Sequence, residues 1–280
     1  PETTGLDTTG MLQAAASGRL DTLILLGADP LRDFPDRNLA AEAFQYATTI
    51  IAIDNFITDS VAQADVILPS TAYGEQGGTT TNIEGRISRL TPKVTPPGTV
   101  RDDWMIAAEL AWRLGGDIGL GSRQEIWREI EQVAPSHAGV TVERICGPEA
   151  HEGILVEGTS IEPTLPPPQE PPVIDGYGLR LVSGRKLWDA GTNISHSPSL
   201  KHLAEESTLR VHPSDLQRLG VSSGVSVRVI STRTTETVVA VADESILRGT
   251  AVLPFNQPGG GANRFIDATA HVNDIRIETL

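Results

Sequence analysis

The sequence predicts an α/β fold in which a parallel-sheet (Rossmann-like) domain precedes a closed β-barrel domain. Strand-like runs alternate with helix-like stretches in the first half, whereas short strand-like runs dominate the second half. A proline-rich stretch separates the two patterns. At 280 residues, the chain is long enough for about two domains. We therefore expect a first domain at residues 1–157, a semi-rigid linker at 158–174 and a second domain at 175–280.

Each element of the first domain is predicted from its pattern. Strands are predicted at the apolar runs Leu23–Leu26, Thr49–Ile53 and Asp65–Leu68. Helices are predicted at Asp36–Tyr46, at Asp102–Leu114 and from Ser122, with apolar faces made of Trp104, Ala107, Ala108 and Ala111 in the second and of Ile126, Ile130 and Val133 in the third. The order strand, helix, strand favours right-handed crossovers and hence a parallel sheet covered by helices.

The second domain contains six strand-like runs and one short helix. The strands are predicted at Leu179–Val182, Leu209–His212, Val225–Ser231, Thr237–Val241, Thr250–Phe255 and Ile275–Thr279. The helix covers Pro213–Leu219, with proline in its first turn and Gly220 at its end. Several short strands with few helices are typical of a closed barrel.

Composition excludes several classes of function. The net charge of −14 repels nucleic-acid phosphates, and no basic patch matches an anionic membrane surface. Cys146 is the only cysteine, so this chain supplies too few thiolates for an iron–sulfur cluster. The six histidines lack metal-ligand spacing, so we expect no metal site. No apolar run approaches the ~20 residues of a membrane-spanning helix.

Two glycine-containing segments are candidates for ligand binding. Tyr73–Arg89 follows the third predicted strand, at the end of the sheet where open α/β proteins bind ligands. It is either a cofactor-facing loop or a loop in which Asn82 and Glu84 satisfy backbone donors. Gly259–Gly261 either forms an anion-binding nest or, since no clear helix follows it, a flexible turn.

Several ordered motifs resemble those of the molybdopterin oxidoreductase superfamily. In the first half these are Gly27–Pro30, Asp65–Pro69, a Glu-x-x-Gly-Thr-x-x-Asn-x-Glu-Gly-Arg motif at Glu75–Arg86, Pro97-Gly98 and Asp103-Trp104. In the second half they are Ser183–Arg185, His212–Val227 and Ala262-Asn263. The resemblance covers nearly the whole chain. It implies that the second domain is a double-psi β-barrel similar to the superfamily's dinucleotide-binding domain.

Within the superfamily, Ala134–Val140 and the short barrel ending at Leu280 resemble the G-type subunits of NADH-quinone oxidoreductase, respiratory complex I. This implies electron transfer from NADH to quinone through iron–sulfur clusters upstream, with this segment structural, without a cofactor and not catalytic alone. The expected partners are the upstream cluster-bearing part and other peripheral-arm subunits, on the cytoplasmic side of the inner membrane. No nucleic-acid partner and no membrane insertion are expected. The superfamily's metal ligands lie upstream of the matched region, so we expect the C-terminal portion of a longer protein.

The alternative is the cofactor-binding half of a formate-dehydrogenase-like enzyme that holds molybdopterin guanine dinucleotide. Against it, the Trp-Pro pair usual in formate dehydrogenases is absent after Gly139-Val140. The resemblance assigns nine residues to dinucleotide binding: Glu75, Gly78, Thr79, Asn82, Glu84, Arg86, Gly184, Arg185 and Asn263. In a complex I subunit these residues would be vestigial. If they are vestigial, the charged groups of Glu75–Arg86 are paired or solvated within the protein, and Arg86→Ala lowers stability.

Overall fold

The computed structural model describes residues 4–156, 165, 167, 170–174, 176 and 178–280. Within them the α-helices are α1 (Thr8–Ala16), α2 (Pro30–Asp33), α3 (Arg37–Tyr46), α4 (Asp103–Arg113), α5 (Arg123–Val133), α6 (Val142–Cys146), α7 (Thr192–Ser195) and α8 (Pro213–Arg218). The strands are β1 (Thr22–Leu26), β2 (Thr49–Asp54), β3 (Val66–Pro69), β4 (Gly78–Thr81), β5 (Arg86–Leu90), β6 (Ile154–Leu155), β7 (Gly178–Val182), β8 (Thr208–Val211), β9 (Val225–Ile230), β10 (Thr235–Ala242), β11 (Thr250–Val252) and β12 (Asp274–Thr279).

The chain forms two compact units that are each discontinuous in sequence. The first, called the barrel unit, comprises residues 1–52, 56–67 and 168–280. The second, called the hairpin unit, comprises residues 53–55 and 68–167. Much of the predicted linker at 158–174 lies outside the described residues. The linker and the domain boundaries therefore stay predictions.

The three predicted strands of the first half form a parallel sheet in the order β1-β2-β3. Alternation along β1 buries Leu23 and Leu25 in an apolar cluster with residues of α1 and α3. Helix α3 begins where Asp36 Oδ1 accepts a hydrogen bond from Leu39 N at 2.9 Å. This carboxylate caps the helix and fixes the face that it buries.

The second half closes into a six-stranded barrel with the strand order β10-β8-β11-β7-β12-β9, closed by β9 pairing with β10. Two pairs, β10–β8 and β11–β7, are parallel. Alternating side chains fill the interior: Val227 and Val229 of β9 are fully buried, although Val225 in the same row is exposed. The predicted fold class, a parallel-sheet domain followed by a double-psi β-barrel, is confirmed.

A third sheet lies in the hairpin unit, where the sequence pattern indicates no strands. Strands β4 and β5 form an antiparallel hairpin, and β6 pairs with β5. The segment Tyr73–Arg89 therefore contains β4 and most of β5, which form a hairpin, and is not a single loop. Strand β4 reads Gly-Thr-Thr-Thr and has no apolar alternation, so hydrophobic periodicity could not reveal it. Only Ile87 of β5 is buried, against Trp127 and Ile145.

The buried faces of α4 and α5 agree only in part with those predicted, since Ile130 of α5 does pack against the core cluster of the unit. In α4 the buried residue is Ile106, while Ala107 is exposed. In α5 the buried residue is Trp127, and Val133 is exposed. The Trp127 indole donates a hydrogen bond to the Val140 carbonyl at 2.6 Å, which turns this face of the helix towards the core of the unit. None of the helices described here is long and apolar enough to cross a membrane.

Candidate functional site

The loop that follows β1 places a buried carboxylate at the carboxyl end of the parallel sheet. Gly27 adopts a positive φ of 56°, and Pro30 opens α2. Between them, Asp29 accepts hydrogen bonds from Ser60 Oγ at 2.5 Å and Ser60 N at 3.2 Å. These bonds tie the end of β1 to the loop that follows β2. Burial raises the pKa of the Asp29 carboxyl, and the bond from Ser60 opposes that rise.

Arg32 on α2 is held by four groups of the barrel unit. Its guanidinium lies 3.6 Å from Asp29 Oδ2 and 3.3 Å from Asp59 Oδ2. It also donates to the Ala190 carbonyl at 2.7 Å and to Ser195 Oγ at 3.2 Å. Because its donors are engaged, Arg32 organises this end of the sheet and has little capacity left for a ligand.

The barrel contributes a tight turn at Gln257–Gly260, in the loop after β11. Gln257 and Gly260 exchange backbone hydrogen bonds of 3.1 and 3.3 Å, with Pro258 second and Gly259, at a φ of 83°, third. That arrangement is typical of a type II turn. The next residue is Gly261, where an added Cβ would lie 2.0 Å from the Phe255 carbonyl oxygen. The glycine run is therefore an ordered turn packed closely against the backbone of Phe255.

These elements enclose the α2–barrel cavity, of about 230 Å³. Its lining residues come from both halves of the barrel unit and are Arg32, Arg37, Asp59, Ala190, Asn256, Gln257, Pro258, Gly259, Gly260, Asn263 and Arg264. Three arginines line the cavity: Arg32 is paired with Asp29 and Asp59, and Arg264 with Glu236 at 3.0 Å. Arg37 is the lining arginine that no described carboxylate pairs, so it is the one available to an anion. Asn256 Nδ2 and Gln257 Oε1 are buried without a hydrogen-bond partner. A buried unpaired polar group costs about 1–3 kcal/mol, so this cavity suits a polar, anionic group.

The predicted site residues of the second half lie close to this cavity. Asn263 lines it and donates from Nδ2 to the Arg32 carbonyl at 3.0 Å. Arg185 pairs with Asp33 of α2, lies 3.6 Å from Asp189 and stacks over the Phe255 ring at 5.3 Å. The Gly184 carbonyl accepts a backbone hydrogen bond from Phe255 at 3.0 Å.

The predicted site residues of the first half lie in the hairpin unit and are bonded within it. Asn82 Oδ1 accepts from the backbone N–H groups of Glu84 and Arg86, both at 2.9 Å. The Arg86 guanidinium pairs with the Glu84 carboxylate at 3.2 Å, and both side chains are well exposed. Glu75 accepts from Ala72 N at 2.9 Å, while Gly78 and Thr79 belong to β4. Asn82 therefore satisfies backbone donors, as the internally hydrogen-bonded alternative expects, whereas the Glu84 carboxylate pairs with Arg86 instead.

Some residues of the cavity were missed by the sequence interpretation. Arg37, Asn256 and Gln257 belong to no recognised motif. Asn256 and Gln257 lie just before the glycine run, whose pattern is compatible with either an anion nest or a flexible turn. The available signal was Gly27–Pro30 after a strand, since the carboxyl end of a parallel sheet is a common ligand site. Nothing in the local pattern indicated that the turn after β11 would meet it.

Comparisons with known proteins identify two matching family models. Residues 2–113 match the molybdopterin oxidoreductase model, and residues 179–275 match the molydopterin dinucleotide binding domain model. The chain is 27% identical to the F420-dependent formate dehydrogenase subunit alpha of Methanocaldococcus jannaschii, over 91% of this chain and 42% of that protein. It is 28% identical to a G-type subunit (G 2) of the NADH-quinone oxidoreductase of Rhizobium meliloti, over 91% of this chain and 30% of that protein.

A solved structure has the same fold. Acetylene hydratase from Pelobacter acetylenicus aligns with a TM-score of 0.64 at 19% identity, over 94% of this chain and 42% of that chain. The chain therefore spans less than half the length of these relatives. Relatives of comparable similarity bear the names of several different oxidoreductases.

Proposed function

This chain belongs to the molybdopterin oxidoreductase family, and from that premise we propose that it is a structural part of a G-type subunit of an NADH-quinone oxidoreductase. In this role the parent protein transfers electrons through iron–sulfur clusters outside this chain. The segment contributes a folded scaffold that packs against the cluster-bearing part and neighbouring peripheral-arm subunits. The site of action is the cytoplasmic face of the membrane.

One observation carries this proposal: the polar side chains expected to contact a dinucleotide are already bonded within the protein. Arg185 is engaged by two carboxylates and an aromatic ring, and Asn263 by a backbone carbonyl. Asn82, Glu84 and Arg86 satisfy one another and their own turn. A fold whose polar groups are satisfied in this way is stable without a ligand. These residues are then retained because they maintain the structure.

The size of the α2–barrel cavity supports the same proposal. Pockets that bury most of a drug-sized ligand have volumes of about 300–1,000 Å³. At about 230 Å³, the cavity has room for a fragment such as a phosphate and part of a sugar. The part of the cavity that this chain forms therefore matches a dinucleotide in its chemistry and has room for only part of one.

A second candidate function is the dinucleotide-holding half of a formate-dehydrogenase-like molybdenum enzyme. The unpaired Asn256 Nδ2 and Gln257 Oε1 favour it, because a bound ligand would satisfy both. In that case Arg37, Asn256 and Gln257 would hold phosphate and ribose oxygens of the pterin dinucleotide. The bound group would supply two-electron redox chemistry at molybdenum. The unpaired atoms are the feature that the structural proposal leaves unexplained.

The two candidates differ in the metal and pterin content of the full-length protein. We expect purified full-length protein to contain iron, to lack stoichiometric molybdenum and extractable pterin fluorescence, and to oxidise NADH with a quinone acceptor when assembled with its partner subunits. Asn256→Leu is the matched variant, since it removes the unpaired amide without changing the size of the side chain much. Stoichiometric molybdenum and pterin that Asn256→Leu abolishes would establish the second candidate and refute the first.

A further inference from the structure

Besides the α2–barrel cavity in the barrel unit, the hairpin unit contains a cavity that the proposed function does not use. It lies between the start of β4, the end of β5, α5 and α6, and its volume is about 450 Å³. We call it the α5 pocket. Its volume falls within the range of about 300–1,000 Å³ typical of pockets for small molecules. All of its lining residues belong to the hairpin unit.

One side of the α5 pocket is an apolar wall. Trp127 and Ile145 are buried there, and Trp104, Ile126 and Ile130 are partly buried. The indole donor of Trp127 is already engaged by the Val140 carbonyl, so its ring offers the pocket only apolar surface. This wall suits an aromatic ring or a short acyl chain.

The polar part of the lining is positive. Arg89 and Arg123 line the pocket, and no aspartate or glutamate does. No described carboxylate forms an ion pair with either guanidinium, in contrast to the ion-paired arginines elsewhere in the same unit. In a protein with a net charge of −14, a pocket without carboxylates is a local reversal of charge.

The position of Arg123 strengthens this reversal. Arg123 is the first residue of α5, an eleven-residue helix, so the positive end of the helix dipole adds to its charge. Its guanidinium lies directly on Gly77, where a Cβ would stand only 1.6 Å from Nη1. The missing side chain at Gly77 therefore creates the space that this guanidinium occupies beside the pocket.

We propose that the α5 pocket binds a small amphipathic carboxylate, either aromatic or of medium acyl chain length. Its apolar body packs against the wall that contains Trp127, and its carboxylate pairs with Arg123 and Arg89. A guanidinium binds a carboxylate through two parallel hydrogen bonds, which gives such a site its preference for anions. A neutral molecule of the same shape would gain the apolar contact alone.

Two fluorescent probes of nearly equal shape test the proposal on the full-length protein. The anionic probe is 1-anilinonaphthalene-8-sulfonate, and the neutral probe is N-phenyl-1-naphthylamine. We expect saturable binding of the anionic probe, at least about tenfold tighter than the neutral one, and its displacement by decanoate. Decanoate should also slow the alkylation of Cys146, which lines the pocket. Equal affinity for both probes, or no protection of Cys146, would overturn the proposal.

Charge variants locate the anion within the pocket. Arg123→Gln and Arg89→Gln should each weaken the anionic probe about tenfold and leave the neutral probe unchanged. Arg128→Gln is the matched control, because it removes one charge from the same helix without touching the pocket, and it should change binding less than about twofold. Should Arg123→Gln fail to fold, Arg123→Lys keeps the charge and loses the bidentate geometry, so a weaker anionic probe is again expected. Equal losses in Arg123→Gln and Arg128→Gln would refute the site.

Discussion

Asn82 and Asn256 are the same type of residue, but their side chains differ in hydrogen bonding and in burial. Asn82, at the turn of the β4–β5 hairpin, is exposed, yet its side-chain oxygen accepts two backbone hydrogen bonds. Asn256, in the α2–barrel cavity, is only 7% exposed, yet its side-chain nitrogen has no partner. A polar group that completes a turn stabilises the fold, whereas a buried group without a partner destabilises it. The second arrangement is the one that leaves a site open for a ligand.

The largest difference in the free energy of unfolding is expected between substitutions of a carboxylate in the barrel unit and of one in the hairpin unit. Asp36 is fully buried, pairs with Arg233, caps α3 and accepts a hydrogen bond from Ala268 N at 3.2 Å. Asp36→Asn should lower the free energy of unfolding by about 3 kcal/mol, because it removes the charge that pairs with the partly buried Arg233. Glu84→Gln in the exposed hairpin should change it by less than about 1 kcal/mol. Urea denaturation measures both, and equal effects would contradict the comparison.

The next largest loss of stability is expected where the backbone packs closely beside the α2–barrel cavity. Gly261→Ala forces a Cβ against the Phe255 carbonyl, and we expect a loss of about 1–3 kcal/mol in thermal or urea unfolding. Gly184→Ala is the matched control in the same unit, since nothing lies within 4 Å of its added Cβ. A Gly261→Ala protein as stable as Gly184→Ala would mean that the turn after β11 is not held closely in solution.

The two asparagines themselves should respond to one substitution with opposite signs. Asn256→Leu removes an unpaired buried amide and should raise the free energy of unfolding by about 1 kcal/mol when no ligand is bound. Asn82→Leu removes two hydrogen bonds to the hairpin turn and should lower it by about 1 kcal/mol. Chemical denaturation of the two variants side by side gives the signs directly. If both variants change the free energy of unfolding in the same direction, the contrast drawn between the two asparagines is wrong.

A smaller effect is expected at Arg86. The sequence predicts that Arg86→Ala lowers stability by leaving a carboxylate short of donors. Because Arg86 and Glu84 form an exposed pair, the structure limits the expected loss to about 0–1 kcal/mol. High salt should reduce this loss of stability further, since solvent ions screen exposed charges. A loss that salt does not reduce would show that the pair matters beyond its charge.

The smallest expected effect is a pH dependence in the barrel. Hydrogen bonds from Ser245, together with Arg210, lower the pKa of Asp243 to about 2. A lowered pKa in the folded state contributes stability above pH ~4, where the unfolded carboxyl is also ionised, and that contribution is lost as the pH falls towards 2. Asp243→Asn should flatten the change in stability over this window. Acid titrations of the two proteins that run parallel would refute the assignment.

Much of the fold was predictable from local pattern. Strands β1, β2 and β3, helix α3 and all six barrel strands lie within a few residues of the predicted runs, because each has apolar residues at the spacing of its element. The β4–β5 hairpin was not predictable, since its threonines have no apolar alternation. The predicted stripe of α5 missed Trp127 because the buried face depends on which strand the helix packs against.

The sequence by itself determined the family, the α/β-then-barrel order and the elements whose residues repeat at helix or strand spacing, because these depend on residues near one another in the chain. Only the tertiary structure decided which polar residues are satisfied. Asn38, for example, donates to the Arg264 carbonyl at 2.8 Å, 226 residues away along the chain, and Asn263 bonds the carbonyl of Arg32. Such bonds join residues that no local pattern relates. Hydrogen-bond satisfaction is a property of the packed chain, so the division between structural and ligand-binding polar groups appears only when the fold is complete.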